Sequence, residues 1–257
     1  MAQSQVGKIY VGANQMFPGI YVPPSGPVVP TSGLIAWFDA DDYTSGATWT
    51  DRSANGNNLT LTGTYAKNTT YGPTILFNGG YGSRGSVAGW ASTTDVTYVE
   101  IIRVLATSNF QASWAIQGTN QLTNFQLGGA GDIYTWVGAK TGWILNTQDY
   151  STTKTTFVAR RVQSGFNNTS GLTVSYGDDS SVPLTNYGAG NFTLARTPTD
   201  TTYTLGASVT IRVATPENNI TYDMPGYYGA SLFYNRILTD QEVQDIYDYY
   251  KSTYSLV

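Results

Sequence analysis

YYGASLFYNRILTDQEVQDIYDYYK, residues 227–251, decides the class of this chain. Gly229–Tyr234 is a short run of small, apolar and aromatic residues and is predicted to be a strand. Asn235 and Arg236 lead out of it. Thr239 is a good helix N-cap, and Glu242 three residues on completes a capping box. Asp240 and Glu242 suit the positive end of a helix dipole, and Lys251 suits the negative end. Val243, Ile246, Tyr247 and Tyr250 recur at i, i+3, i+4 and i+7, which is one apolar face. The spacing predicts a helix over 240–251, packed across a β-sheet by that face.

Outward from this segment no second helix is predicted. The candidate strands are Leu34–Asp39, Leu59–Tyr65, Thr74–Asn78, Thr97–Ala106, Ser113–Gln117, Asn124–Gly128, Ile133–Val137, Thr155–Val162, Gly171–Tyr176, Thr202–Gly206 and Val209–Val213. They are short, rich in β-branched and aromatic residues, and separated by Gly, Asn, Asp and Ser. NGNN at 55–58 and NGG at 78–80 are turn signals. Many short strands at near-regular spacing imply a sandwich or barrel. The length of 257 residues suits one large β domain. Charged residues make up 12%, well under the usual ~25%, while aromatics reach 14%, which excludes a disordered chain.

Three segments resemble the laminin-G-like, concanavalin A-like jelly rolls. The first is GLIAWFDADD at 33–42, a strand ending in acidic residues. The second is WTDRSANGNNLTLTG at 49–63, similar to that family's Asp-x-Ser-Gly-Asn-Gly-Asn turn, and it is followed by ILFNGG at 75–80. The third is the closing segment at 227–247. The resemblance covers residues 33–252. It implies an all-β, two-sheet antiparallel jelly-roll sandwich with one C-terminal helix. Asp51, Asn55, Gly56 and Asn57 would form a turn, and Arg236 would tie the last strand to the helix. Where the family often carries acidic residues before the closing strand, this chain has Gly229, Ala230 and Ser231. Some members bind calcium. Asp39, Asp41 and Asp42 offer hard oxygen ligands, but they do not match an EF-hand loop, because the twelfth position from Asp39 is Thr50.

Residues 1–32 differ in kind. Five of the ten prolines (Pro18, Pro23, Pro24, Pro27 and Pro30) fall between 18 and 30. Proline fixes φ and removes donors, so an extended N-terminal arm is expected. The domains are accordingly read as a docking arm at 1–32 and a jelly-roll domain at 33–257. KIYVGANQM at 8–16 is similar to short segments of tailed-bacteriophage virion proteins. That resemblance implies a virion structural protein, a capsid decoration, cement or head-fibre component, docked through Ile9, Tyr10, Val11, Phe17, Tyr21 and Val22. Virion proteins would then be its partners, with oligomerisation of the chain itself, and the virion its location.

Chemistry is constrained by what is missing. There is no cysteine, hence no disulfide and no thiolate, and no histidine, hence no Ser-His-Asp nucleophile and no common zinc ligand. Only three glutamates occur, Glu100, Glu217 and Glu242. Asp95 and Glu100 are five apart and fall on opposite faces of a strand, so they are not the paired carboxylates of a glycoside hydrolase. On these grounds the chain is expected to be a binding or structural protein and not an enzyme, without a cofactor unless calcium binds. The 13 basic residues are scattered and the net charge is −4, which disfavours nucleic acid. No stretch approaches the ~20 apolar residues of a membrane span, and the N-terminus lacks the apolar run of a signal peptide. The alternative reading is a carbohydrate-binding adhesin on a tail fibre or cell surface. Tyr134, Trp136, Trp143, Asn146 and Tyr150 would hold a host surface glycan, since sugars are held by aromatic faces and planar polar groups.

Overall fold

A computed structural model describes residues 26–90, 95–105, 111–126, 133–137, 143–146, 151–167, 170–188, 193–196, 202–206, 208–215 and 223–257. The strands are β1 (Leu34–Asp39), β2 (Thr48–Trp49), β3 (Leu59–Asn68), β4 (Thr74–Arg84), β5 (Asp95–Val104), β6 (Gln111–Gln117), β7 (Gln121–Gln126) and β8 (Ile133–Val137). They continue with β9 (Trp143–Asn146), β10 (Thr156–Gln163), β11 (Leu172–Asp178), β12 (Thr185–Tyr187), β13 (Thr193–Arg196), β14 (Thr210–Val213) and β15 (Gly226–Tyr234), and the helix α1 spans Asp240–Lys251.

Every pair of these strands is antiparallel, and twelve of them form one hydrogen-bonded path, β12-β11-β10-β5-β15-β4-β14-β6-β7-β8-β9-β13, with β1 joined to β15, β3 to β4 and β2 to β3. That path doubles over at β4. The first half of β4 pairs with β15 through Ile75, Leu76 and Phe77, and its end pairs with β14 through Gly82, Ser83 and Arg84. At the bend a Cβ on Gly63 would stand 2.3 Å from the Gly79 carbonyl oxygen, and one on Gly80 would stand 2.6 Å from that of Thr64. Only glycines let the two backbones approach so closely. The NGG signal at 78–80, expected as a turn, is therefore the corner of a continuous strand.

The two layers enclose one core, in which Tyr98 of β5 meets Trp114 of β6 with ring centroids 4.5 Å apart. The closing strand β15 lies inside its layer. Leu34–Asp39 of β1 pairs with one side of its later half, and β5 runs along the other side. β5 is buried on both faces. Tyr98 and Ile102 enter the inter-layer core, while Val99 and Ile101 enter a second core under α1.

The helix has the predicted bounds, and both halves of the Thr239–Glu242 capping box are formed. Val243, Ile246, Tyr247 and Tyr250 are its buried face. Arg236 donates from Nη1 and Nη2 to the two Glu242 carboxylate oxygens at 2.9 and 2.5 Å, and from Nε to the Ser32 carbonyl at 2.7 Å. Within the predicted arm, Val29 is buried in the second core, and Tyr234 Oη donates to the Pro30 carbonyl at 3.0 Å.

One expected strand is absent. Residues 202–206 form no ladder. They are held by separate bonds, such as Asn120 N–H to the Thr204 carbonyl and Tyr203 Oη to the Val162 carbonyl, while Tyr203 and Leu205 are buried. β2, β9, β12 and β13 were not expected, and each has four residues or fewer.

Candidate functional site

The turn between β2 and β3 is organised by Asp51. Its Oδ1 accepts from the Trp37 and Ser53 amides, and its Oδ2 accepts from the Asn57 amide and the Ser53 hydroxyl. Asn57 is fully buried. It donates to the Ile35 and Ala88 carbonyls and accepts from the Ala88 amide. The Asp51–Asn57 segment thus clamps β1 to the chain that follows β4, and its role is structural.

The proposed calcium ligands Asp39, Asp41 and Asp42 are neighbours in sequence but do not assemble as a ligand set. Asp39 is buried and accepts from the Asp41 amide, Arg52 Nη1 at 2.6 Å and Tyr250 Oη at 3.1 Å. Burial pushes its carboxyl above the usual value, against the Asp41 amide and the Arg52 charge. Arg52 also pairs with Asp42 at 2.5 Å and lies over the Trp37 ring, so a guanidinium already occupies the place of a cation. Among the described residues no group of three or more acidic, histidine or cysteine side chains is arranged to hold a metal ion.

The aromatic candidates lie on the outer strands of the second layer. Tyr134 and Trp136 belong to β8, and Trp143 and Asn146 to β9. The register sets Trp136 opposite Trp143, Tyr134 opposite Leu145, and Asn146 opposite Ile133. Positions alternate between faces along a strand, so Asn146 falls on the other face from the three aromatic positions. Tyr150 and the arm residues Ile9, Tyr10, Val11, Phe17, Tyr21 and Val22 lie outside the described residues.

A second location was not anticipated. Beyond the last turn of α1 the outer face of the first layer is not covered by the helix, and there β5 presents Arg103 opposite Tyr227 of β15. The β3–β4 turn brings Tyr71 over them. Arg103 Cζ stands 3.9 Å from the Tyr71 ring centroid, and the Tyr71 and Tyr227 rings meet edge-on at 4.9 Å. Next to this stack is an open cavity of about 210 Å³, lined by Thr70, Tyr71, Thr155, Asp179, Thr253 and Ser255, with Gly72 and Tyr254 completing the wall.

Several of its polar groups are not hydrogen-bonded within the described residues, although Tyr254 Oη donates to the Pro73 carbonyl. Arg103 donates from Nε to the Thr152 carbonyl at 3.2 Å, and its Nη1 stands 3.9 Å from the Asp179 carboxylate, beyond hydrogen-bond reach. Among the described residues, the Asp179 carboxylate, the Arg103 Nη atoms and the hydroxyls of Tyr71, Thr155 and Thr253 have no protein hydrogen-bond partner. Two features hold the wall in place. Gly72 has φ +84° and abuts the Tyr254 ring, and Ser255 sits at φ 54°, an uncommon conformation for a residue with a Cβ. Chain positions from 70 to 255 contribute to the cavity, so no local motif announces it.

No family model matches the chain, and no curated protein sequence matches it. Solved structures share its fold. Trypanosoma rangeli sialidase in complex with sialic acid aligns with 96% of this chain at 12% identity and a TM-score of 0.53; the chain spans about 37% of that protein's length. The same sialidase with the inhibitor DANA gives a TM-score of 0.54 at 14% identity, with 96% and 37% covered. Domain 4 of AbnA, a GH43 extracellular arabinanase from Geobacillus stearothermophilus, in complex with arabinotriose, aligns over 83% of this chain and 97% of its own at 15% identity and a TM-score of 0.54. At such low identity the structural likeness shows the antiparallel β-sandwich fold alone. It also corrects the exclusion of enzymes. The fold is found in a sialidase and in a domain of an arabinanase, so the missing histidines and scarce glutamates do not set catalysis aside.

Proposed function

We propose that the chain is a carbohydrate-binding β-sandwich module and that its ligand enters the cavity beside Tyr71. The observation that carries this reading is the set of hydroxyl and carboxylate groups without a hydrogen bond among the described residues, around one small open cavity with tyrosine rings at its edge and the Arg103 guanidinium beside it. Ligand sites combine aromatic surface with a few convergent polar groups that fix orientation. The AbnA domain, 97% of which aligns with this chain, was solved with a bound trisaccharide, which supports the same use of the fold. Fold alone does not assign a ligand.

The test is a glycan array probed with the full chain, followed by titration of the hits. Tyr71→Ala should weaken binding at least tenfold. Undiminished binding in that variant, together with loss in Trp136→Ala, would move the site to β8 and β9.

The virion reading is a separate proposal and is supported by the sequence of residues 1–32. The KIYVGANQM segment and the proline arm suit docking on a particle, because a pre-stiffened segment loses less entropy when it binds. Immunogold labelling of particles from the source culture, with antibody to residues 33–257, tests it. Regular labelling would support a particle component, and unlabelled particles would sink the idea.

A further inference from the structure

We infer that the cavity beside Tyr71 is built for a neutral polyhydroxyl ligand and against an acidic sugar; the inference rests on the carbohydrate reading above. The deciding feature is the pairing of Arg103 with Asp179. Both side chains are mostly buried, 15% and 21% exposed, and they carry opposite charges. They form a loose ion pair, with Nη1 3.9 Å from the carboxylate oxygen and no direct hydrogen bond between them. A hydroxyl oxygen placed between them at ordinary hydrogen-bond lengths of about 2.8–2.9 Å reaches both. It accepts from the guanidinium and donates to the carboxylate at the same time. A sugar hydroxyl does both through one oxygen atom, whereas a carboxylate, sulfate or phosphate group accepts only.

An anionic sugar would satisfy Arg103 and set a second negative charge against Asp179. An amino sugar's ammonium would satisfy Asp179 and face Arg103. Each mismatch leaves a partly desolvated charge beside a like charge, and such a mismatch serves to reject a ligand. The hydroxyls of Thr70, Thr155 and Thr253 add uncharged donors and acceptors around the same cavity. Among the residues lining the cavity and Arg103 beside it, the formal charges are one positive and one negative, with no excess to attract either sign. The sialidase likeness would suggest sialic acid, and the charges in this cavity argue the opposite.

The experiment is calorimetric titration of the full chain at low salt with neutral trisaccharides (arabinotriose, mannotriose, cellotriose and maltotriose) and with trigalacturonate and sialyllactose. At least one neutral sugar should bind, and both anionic sugars should bind at least tenfold more weakly. Asp179→Asn removes the negative charge and keeps the side-chain shape, so it should raise anionic affinity at least fivefold relative to neutral. Arg103→Gln should weaken the neutral ligand about tenfold. Thr253→Val, an exposed position, should weaken it about threefold and serves where either charge variant has an altered melting temperature. Anionic sugars binding as tightly as neutral ones, or a neutral-to-acidic ratio unmoved by Asp179→Asn, would overturn the inference while leaving carbohydrate binding intact. Absence of binding to every sugar would overturn both.

Discussion

Tyr254 occupies the space that any side chain at Gly229 would need: a Cβ there would stand 2.5 Å from Tyr254 Cζ. The ring is buried, and its hydroxyl donates to the Pro73 carbonyl at 2.8 Å. This explains why the closing strand carries glycine at position 229. Gly229→Ala should destabilise the protein by about 1–3 kcal/mol, the usual range for overpacking. Because the two residues compete for one volume, Gly229→Ala combined with Tyr254→Ala should lose less than the sum of the single changes. Urea denaturation of the three variants checks both statements. The same ring forms a wall of the cavity, so Gly229→Ala should also weaken sugar binding.

The corner of β4 should be less tolerant still. Gly63 has φ +79°, and a Cβ there meets the Gly79 carbonyl at 2.3 Å. Backbone cannot yield as a side chain can. Gly63→Ala should cost more than about 3 kcal/mol or prevent folding. Gly46→Ala, at φ +92° with open space around it, should cost only about 1 kcal/mol. Melting temperatures of the pair separate conformational strain from collision.

Asn57→Ala removes the side chain that joins Ile35 and Ala88, leaving their backbone groups buried without it. The expected loss is about 2–3 kcal/mol. Asn57→Asp should be as damaging, because a carboxylate cannot donate to the Ile35 and Ala88 carbonyls and would set its charge against them. Equilibrium unfolding of both variants is the check.

Stability should pass through a maximum on the acid side. Hydrogen bonding to Arg236 holds the Glu242 carboxyl at about 2, below its ordinary 4.5. Its contribution is therefore complete above pH 4.5 and lost as pH falls toward 2, on the order of 1–2 kcal/mol after allowing for partial exposure. Asp178, bonded by Lys154 and the amides of Ser180, Ser181 and Val182, is also held low and acts in the same direction. Asp223 does the reverse. Burial pushes its carboxyl up to about 6, against a smaller effect of Thr215. The folded state then favours the protonated form, so stability rises as pH falls from about 7 to 4, on the order of 2 kcal/mol. Asp223→Asn should stabilise the protein at pH 7 and flatten that rise. Denaturation midpoints measured from pH 2 to 8 give both limbs.

How far the sequence could be read depended on how local the determining interactions are. The helix, its caps and Arg236–Glu242 are set within a few residues of one another, and residues 227–251 predicted them closely. The Asp51–Asn57 turn was legible for the same reason. The NGG at 78–80 signals close backbone approach without saying whether the chain reverses or bends. β9 and β13 are short, and four-residue runs carry too little alternation to detect. The cavity was invisible: Tyr71, Arg103, Asp179 and Thr253 come together only through strand register. Aromatic richness drew attention to Tyr134, Trp136 and Trp143, of which the register aligns two.

The interior position of β15 has a consequence for how the protein is made. β1, β4 and β5 are all synthesised well before Gly226–Tyr234, yet each completes its hydrogen bonding only against that strand. A nascent chain therefore leaves the ribosome with open strand edges and no finished first layer, a state prone to pairing with other chains. Its slow step should be the late insertion of one strand between partners already in place, and contacts that distant in sequence form slowly.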